Sequence, residues 1–316
     1  MKILYKIPML FVLIMSSVSC SSYKQIPQLT TMQELNYGFE TSTIQLSNDI
    51  NISYYDSKKG DKTIVFIHGL GSNMAAWKKN FSQLKADYRC IAIDLPGYGK
   101  SSKNPHSGLM SFYADVVMEF SEKMNLGKII LAGHSMGGQT AIVAALKYPE
   151  KIEKLILVDP AGFENFHAGQ RLWFKEIMTP ELVRLTKIDA IESNLASNFY
   201  EVPKDAQFMI DDRIAMRTAK DFDFYCLAVA RSVAGMIDEP VSEKLNQIKT
   251  PTLIFFGEKD NLIPNRYLNP GKTIKIAEDG AGKIPNCELI MVPKCGHFMM
   301  FEKSDVFNTK VTEFLK

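Results

Sequence analysis

Net charge is nearly absent from this chain of 316 residues, in which 37 Lys and Arg stand against 35 Asp and Glu. Removing Lys2 and Lys6 with an N-terminal leader would even the count. No basic stripe is present, so nothing points to a nucleic-acid partner or to electrostatic capture by a membrane. Cysteine is scarce, with five residues. Cys287 and Cys295 bracket an apolar run that, as an extended strand, would hold them about 25 Å apart, far beyond bridging distance. Cys90, in Arg89-Cys90-Ile91-Ala92-Ile93, reads as a buried free thiol. Histidine is equally scarce, with five residues, and neither its placement nor that of cysteine has metal-ligand spacing. Internal repeats and low-complexity segments are missing. What is abundant is apolar material, 46% of the chain, enough for one large core.

The first residues have the order of a secretory signal peptide: Lys2 and Lys6, the apolar run Ile7 to Met15, then small residues up to Cys20. That run is too short to span a bilayer. Ser17-Val18-Ser19-Cys20 resembles the end of a bacterial lipoprotein signal, with Ser17 standing where leucine is usual. The resemblance implies cleavage after residue 19, lipidation of Cys20, and export to the periplasm or outer membrane. Residues 20–36 are polar and patternless, which suits a tether between a lipid anchor and a folded domain.

Alternating apolar positions from Phe39 to Tyr55, broken by Asn48-Asp49, predict an antiparallel hairpin. Apolar runs then alternate with helical periods. Strands are expected at 63–67, 88–93, 128–132, 155–158, 252–256 and 289–292, and helices near 74–85, 110–124, 138–148 and 306–315. This alternation predicts an α/β fold with a mostly parallel sheet covered on both faces, its ligands at the carboxyl ends of the strands. The core would comprise 37–162 and 246–316. Residues 163–245 interrupt the pattern with helical stretches rich in large side chains, among them Phe166, Trp173, Phe174 and Phe208. Inserted at the active end of the sheet, such a segment would form a helical lid, in which any one aromatic is more simply explained as packing than as pocket lining.

The chain is organised around Ile129-Ile130-Leu131-Ala132-Gly133-His134-Ser135-Met136-Gly137-Gly138, which reads as strand, sharp turn and helix. The Gly-x-Ser-x-Gly spacing is that of a nucleophile elbow, where small residues let strand and helix pass closely and the serine hydroxyl projects clear of the sheet. The Met136 amide, at the helix N-terminus, is placed to stabilise an oxyanion. A serine nucleophile needs a base, and the base needs an orienting acid. His297 follows the last strand at the same sheet edge and is the candidate base. His134 adjoins Ser135 but points elsewhere, the backbone of His68 is more useful than its ring, and His106 and His167 are expected to be solvated. For the acid, Asp260 and Asp159 both follow strands at the carboxyl edge. Asp260 gives the chain order Ser, Asp, His and is favoured. Asp94 is expected to shape the turn Pro96-Gly97-Tyr98-Gly99. The second oxyanion amide is expected from Leu70, between Gly69 and Gly71.

These segments in this order, His68-Gly69-Leu70-Gly71, Asp94-Leu95-Pro96-Gly97-Tyr98-Gly99, Gly133 to Gly138, Asp260 and Gly296-His297, resemble the α/β-hydrolase superfamily, in particular its lidded esterase and lipase-like branch. The resemblance runs from about residue 51 to 316. It implies a Ser135, His297, Asp260 triad, no cofactor, and an acyl-enzyme formed on a small or medium apolar ester. Serine at the elbow separates the chain from the dehalogenases and epoxide hydrolases that carry aspartate there. Other chemistries of a serine triad remain open: carbon–carbon bond hydrolysis of diketo acids, aminopeptidase or perhydrolase activity. The first two would need a buried arginine or acidic group, for which Arg171, Arg213, Arg217 and Glu201 are candidates. A non-catalytic binding lipoprotein has no use for the triad. One departure from the family is the long interval between Asp260 and His297, in which 267–284 looks like an extra excursion.

Overall fold

A computed structural model describes residues 26–316. The signal segment and Cys20 lie outside the described residues. Eight strands form one sheet: β1 (Ser42–Gln45), β2 (Asn51–Asp56), β3 (Thr63–Ile67), β4 (Arg89–Ile93), β5 (Ile129–His134), β6 (Ile152–Val158), β7 (Thr252–Gly257) and β8 (Cys287–Val292). Their spatial order is β1-β2-β4-β3-β5-β6-β7-β8. Pairing is antiparallel for β1 with β2 and for β2 with β4, and parallel for the rest. The hairpin turns where expected, because Asn48 and Asp49 both take positive φ, 55° and 57°, which Asn and Asp tolerate better than most residues.

Every residue of β3, β5 and β7 is buried, as continuous apolar runs require when both faces of a parallel sheet are covered. The covering helices are α1 (Lys78–Leu84), α2 (Met110–Lys123) and α3 (Met136–Lys147) in the first half of the chain. Between β6 and β7 the chain inserts α4 (Ala168–Ile177), α5 (Pro180–Leu185), α6 (Ile188–Ala196), α7 (Gln207–Ala215) and α8 (Phe222–Asp238). The last helices are α9 (Thr273–Ala281), α10 (Met299–Glu302) and α11 (Ser304–Leu315). Packing joins α1 to α11 and α2 to α3.

Two expectations are corrected. Residues 26–36 are not a free tether: Leu29, Met32 and Leu35 are buried in the core. The Leu29 amide donates to Thr218 Oγ1 (2.8 Å), the Met32 amide to Asp221 Oδ1 (3.0 Å), and Tyr37 Oη to Asp94 (2.8 Å). The apolar side chains in this stretch are too few to show a period, yet each fills a core site. Nor is 267–284 an extra excursion, since it contains α9, the crossover that two parallel neighbours, β7 and β8, require. The helix escapes sequence reading because Gly280 interrupts it. A Cβ there would stand 2.1 Å from the Phe163 ring, so glycine is the residue that lets the crossover lie close.

Candidate active site

Ser135 sits between the end of β5 and the start of α3 with φ 52° and ψ −118°, a conformation non-glycine residues rarely adopt. Close packing enforces it. A Cβ on Gly133 would lie 2.2 Å from the Gly137 carbonyl oxygen, and one on Gly137 2.5 Å from that of His68. The Ser135 amide donates to Val158 O (3.0 Å), and Ser135 O accepts from the Gln139 and Ala161 amides (3.1 and 3.0 Å). Within 129–142, Ser135 alone is not buried, so its side chain is offered to a cavity.

That cavity is shared by His297, which follows β8. Its Nδ1 donates to Asp260 Oδ2 at 2.8 Å, with both side chains almost fully buried. Asp260 Oδ1 accepts from the Leu262 and Ile263 amides (2.7 and 3.1 Å), which fixes the carboxylate plane. The structure therefore joins His297 to Asp260 rather than to Asp159. The rival acid is present all the same. Asp159 is fully buried, its Oδ1 accepts the Gly257 amide at 2.8 Å, and one polar atom each of Asp159, Asp260 and His297 lies within 4.8 Å of the others. Burial, then the neighbouring Asp260 charge, raise the Asp159 carboxyl well above its ordinary range. Two carboxylates this close in a dry site cannot both ionise, so Asp159 is held as the neutral acid beside Asp260, its Oδ2 buried without a hydrogen-bond partner among the described residues.

The Leu70 backbone borders the same cavity. A Cβ on the preceding Gly69 would meet Ser135 Cβ at 3.1 Å, so this loop lies against the nucleophile. Met136 is the first residue of α3, and its amide has no partner within the helix. Two donors hold the loop from behind, Tyr225 Oη on Gly71 O (3.2 Å) and Arg213 Nη2 on the same oxygen.

A family model described as the alpha/beta hydrolase fold matches residues 62–204, which contain the elbow, the Leu70 loop and β3 to β6. The chain has the α/β-hydrolase fold and is a hydrolase. A 2-hydroxy-6-oxononadienedioate/2-hydroxy-6-oxononatrienedioate hydrolase of Pseudomonas putida is 29% identical to it over 283 residues, covering 84% of this chain and 92% of the relative. A probable hydrolytic enzyme from Pseudomonas aeruginosa matches its fold with a TM-score of 0.80 at 23% identity, covering 92% of this chain and 99% of that one. An esterase from Exiguobacterium antarcticum matches with a TM-score of 0.74 at 21% identity, covering 88% and 100%.

The cavity of this hydrolase at Ser135 has a volume of about 300 Å³ and a mostly apolar lining that includes Phe166, Phe174, Met236 and Ile237. Through Leu70, Met178, Asn198, Leu262 and Phe298 it adjoins a second apolar chamber of about 680 Å³, roofed by α5, α6 and α7. A larger concavity of about 1110 Å³ lies beyond Phe166 and Arg171 and contains none of Ser135, Asp260 and His297. Of the charged residues considered for a polar substrate, Arg213 is occupied at Gly71 O and Arg217 at Thr186 O. The Glu201 amide is tied to Glu302 (2.9 Å), and the Glu201 side chain borders neither chamber. The Arg171 side chain reaches the Ser135 cavity, and its guanidinium has no hydrogen-bond or ion-pair partner among the described residues.

Two histidines depart from expectation, His68 and His106. The His68 ring, not only its backbone, is used: Nδ1 donates to Gly69 O (2.8 Å) while Nε2 accepts the Leu95 amide (3.1 Å). His134 Nε2 donates to His297 O (2.9 Å), and burial holds its imidazole neutral. His106 is not solvated but stacks on Phe112, and burial lowers it to about 4. His167 is exposed and accepts the Gln170 amide at the start of α4. Asp94 exceeds its expected role, accepting from the Met74 and Lys100 amides (both 2.7 Å) as well as from Tyr37. None of these links has a sequence signal beyond a polar residue at a strand end.

Proposed function

We propose that this hydrolase cleaves carboxylic esters carrying a medium-length apolar acyl group. The observation that carries the reading is the strained Ser135 opening into an apolar cavity beside the buried His297–Asp260 pair. Ser135 Oγ attacks the carbonyl as His297 Nε2 takes its proton, and Asp260 stabilises the imidazolium. The developing oxyanion receives the Leu70 and Met136 amides. Collapse breaks the ester C–O bond, with His297 returning the proton to the alcohol, and water then releases the acid by the same route. Ser135 Oγ has no hydrogen-bond partner among the described residues, in keeping with a contact that tightens when substrate binds. Helices α4 to α8 act as a lid over both chambers.

The test is hydrolysis of p-nitrophenyl esters of increasing acyl length by wild type and Ser135→Ala. Serine-dependent turnover with an optimum at medium length is expected. Turnover undiminished in the variant would remove the assignment. A second reading, carbon–carbon bond hydrolysis of a diketo acid, is favoured by the unpaired Arg171 at the cavity, which suits a substrate carboxylate, and by the activity named for the Pseudomonas putida relative. Serine labelling by a fluorophosphonate without ester turnover at any length would select it. The sequence of residues 1–20 further supports export and a lipid-bearing Cys20. Labelled fatty acid incorporated by wild type and not by Cys20→Ala is the expected result.

A further inference from the structure

Seven of the thirteen exposed large apolar side chains among the described residues stand on one part of this hydrolase. Leu172, Trp173, Ile177, Leu182, Leu185 and Ile188 all stand out from α4, α5 and the start of α6, with Leu172 58%, Trp173 44% and Leu185 61% exposed. Phe224, at the start of α8 where α5 packs, is exposed as well. A soluble protein rarely leaves so many large apolar groups uncovered on neighbouring short helices. Charged groups border these side chains: Glu176, Lys187, Asp189 and Glu192 are exposed beside them. Two further pairs are closed within the protein, Lys175 with Asp238 and Arg184 with Glu181.

We propose that this face of α4 to α6 docks on the acyl layer of a phospholipid membrane. Two further observations select a lipid surface over other occupants. The face is continuous with the interior, because Leu182 is exposed outside and, with Met178 and Val183, lines the 680 Å³ chamber. An apolar molecule leaving a bilayer there would meet apolar side chains from the surface inward. The N-terminal end of the described chain also lies beside this face: Ile26 packs on Ile191 of α6 with Ile210 and Ile214 of α7. Five residues separate Ile26 from Cys20, a reach of at most about 22 Å. An acyl chain on Cys20 would enter the membrane next to the docking face, and one lipid anchor plus one apolar face makes the two attachments that stable membrane association requires. The docking is independent of the ester reading and deepens it if both hold, by making the substrate a membrane-dissolved ester.

The sequence supplies its own reporter, since of its two tryptophans Trp77 is fully buried and Trp173 stands on the face. Full-length protein is mixed with phosphatidylcholine vesicles whose acyl chains are brominated at defined depths, and tryptophan fluorescence is followed. Quenching of Trp173 by bromine near the headgroup end of the chains, with loss of access to aqueous iodide, is the expected result. In Leu172→Ser/Leu185→Ser, which touches neither chamber, the quenching falls at least about threefold while turnover of a soluble short ester stays unchanged. Attachment through Cys20 alone would hold the protein on vesicles and leave Trp173 open to iodide, which would overturn the proposal. So would unaltered bromine quenching in the double variant. Shielding of Trp173 that appears with rising protein concentration and no vesicles would instead assign the face to a second copy of the chain.

Discussion

Arg213 and Tyr225 do not line the Ser135 cavity, yet removing them should slow catalysis, and the size of the loss can be worked out. Both donate to the carbonyl of Gly71, whose φ of 66° turns the chain back after the Leu70 amide. A hydrogen bond from a charged donor is worth about 1.5–3 kcal/mol net, and one from a neutral hydroxyl about 0.5–1.5 kcal/mol. If that energy holds the loop with its amide toward Ser135, each 1.4 kcal/mol lost lowers the competent population about tenfold. Tyr225→Phe should therefore cost about two- to tenfold in kcat, and Arg213→Met about tenfold, since in each case the other donor remains. The double variant leaves the Gly71 carbonyl without a donor and should lose more than the product of the singles, approaching the about 10²–10³ expected when one oxyanion donor is absent. The assay is kcat and KM for all four proteins on one soluble ester, alongside their melting temperatures. Because the loop acts on the transition state, KM should change less than kcat. A double variant that folds normally and keeps kcat within about twofold of wild type would refute the argument.

Asp159→Asn keeps a neutral polar group beside Asp260 and should keep kcat within about threefold, whereas Asp159→Ala should cost about tenfold with KM unchanged. Equal kcat in the two variants would show that this polar group is idle. Ser135→Gly should abolish turnover and raise stability by about 1 kcal/mol, because glycine takes the positive φ without strain. A fall in melting temperature would mean that the serine side chain supports the fold. Asp212 borders the larger chamber, and its carboxyl is raised to about 7 by burial, with Asp211 adding to the effect. The unfolded chain ionises Asp212 near 3.8 while the folded chain holds its proton, so stability is lost as pH rises from about 4 to about 7. Asp212→Asn should accordingly raise the melting temperature at pH about 8 and leave it nearly unchanged at pH about 4; an equal shift at both would refute the linkage.

The parts of this molecule legible in its sequence are those whose physics is local. The elbow is a five-residue constraint, the hairpin a two-residue one, and each strand an apolar run whose covering helix follows within a few turns of chain. Ser135, Asp260 and His297 could be named because each follows a strand, and a parallel sheet delivers all such positions to one edge. What stayed hidden depends on contacts between distant segments. Gly71 meets Arg213 and Tyr225 across 142 and 154 residues, and Leu29 meets Thr218 across 189. No periodicity records which arginine of a helical insert turns inward. The helix α9 failed for a related reason, as its Gly280 answers to Phe163 of another segment and not to helix propensity.

The same contrast separates chemistry from setting in this fold. The reacting groups are fixed by short strained turns, which one mutation can disable but which sequence context specifies fully. Their surroundings, the braced loop and the apolar face of α4 to α6, are assembled by the insert and the N-terminal segment. Those two elements are bonded to each other at residues 29–32 and 218–221. A segment that leads towards Cys20 is thus joined to the helices that roof the larger chamber, and α7 also carries Arg213 to the oxyanion loop. Motion of the insert relative to the sheet would therefore be felt at Gly71 and at the N-terminal segment together. On the proposed docking, membrane attachment and oxyanion geometry would share a mechanical element in α7, and substitutions in the 218–221 link should alter both or neither.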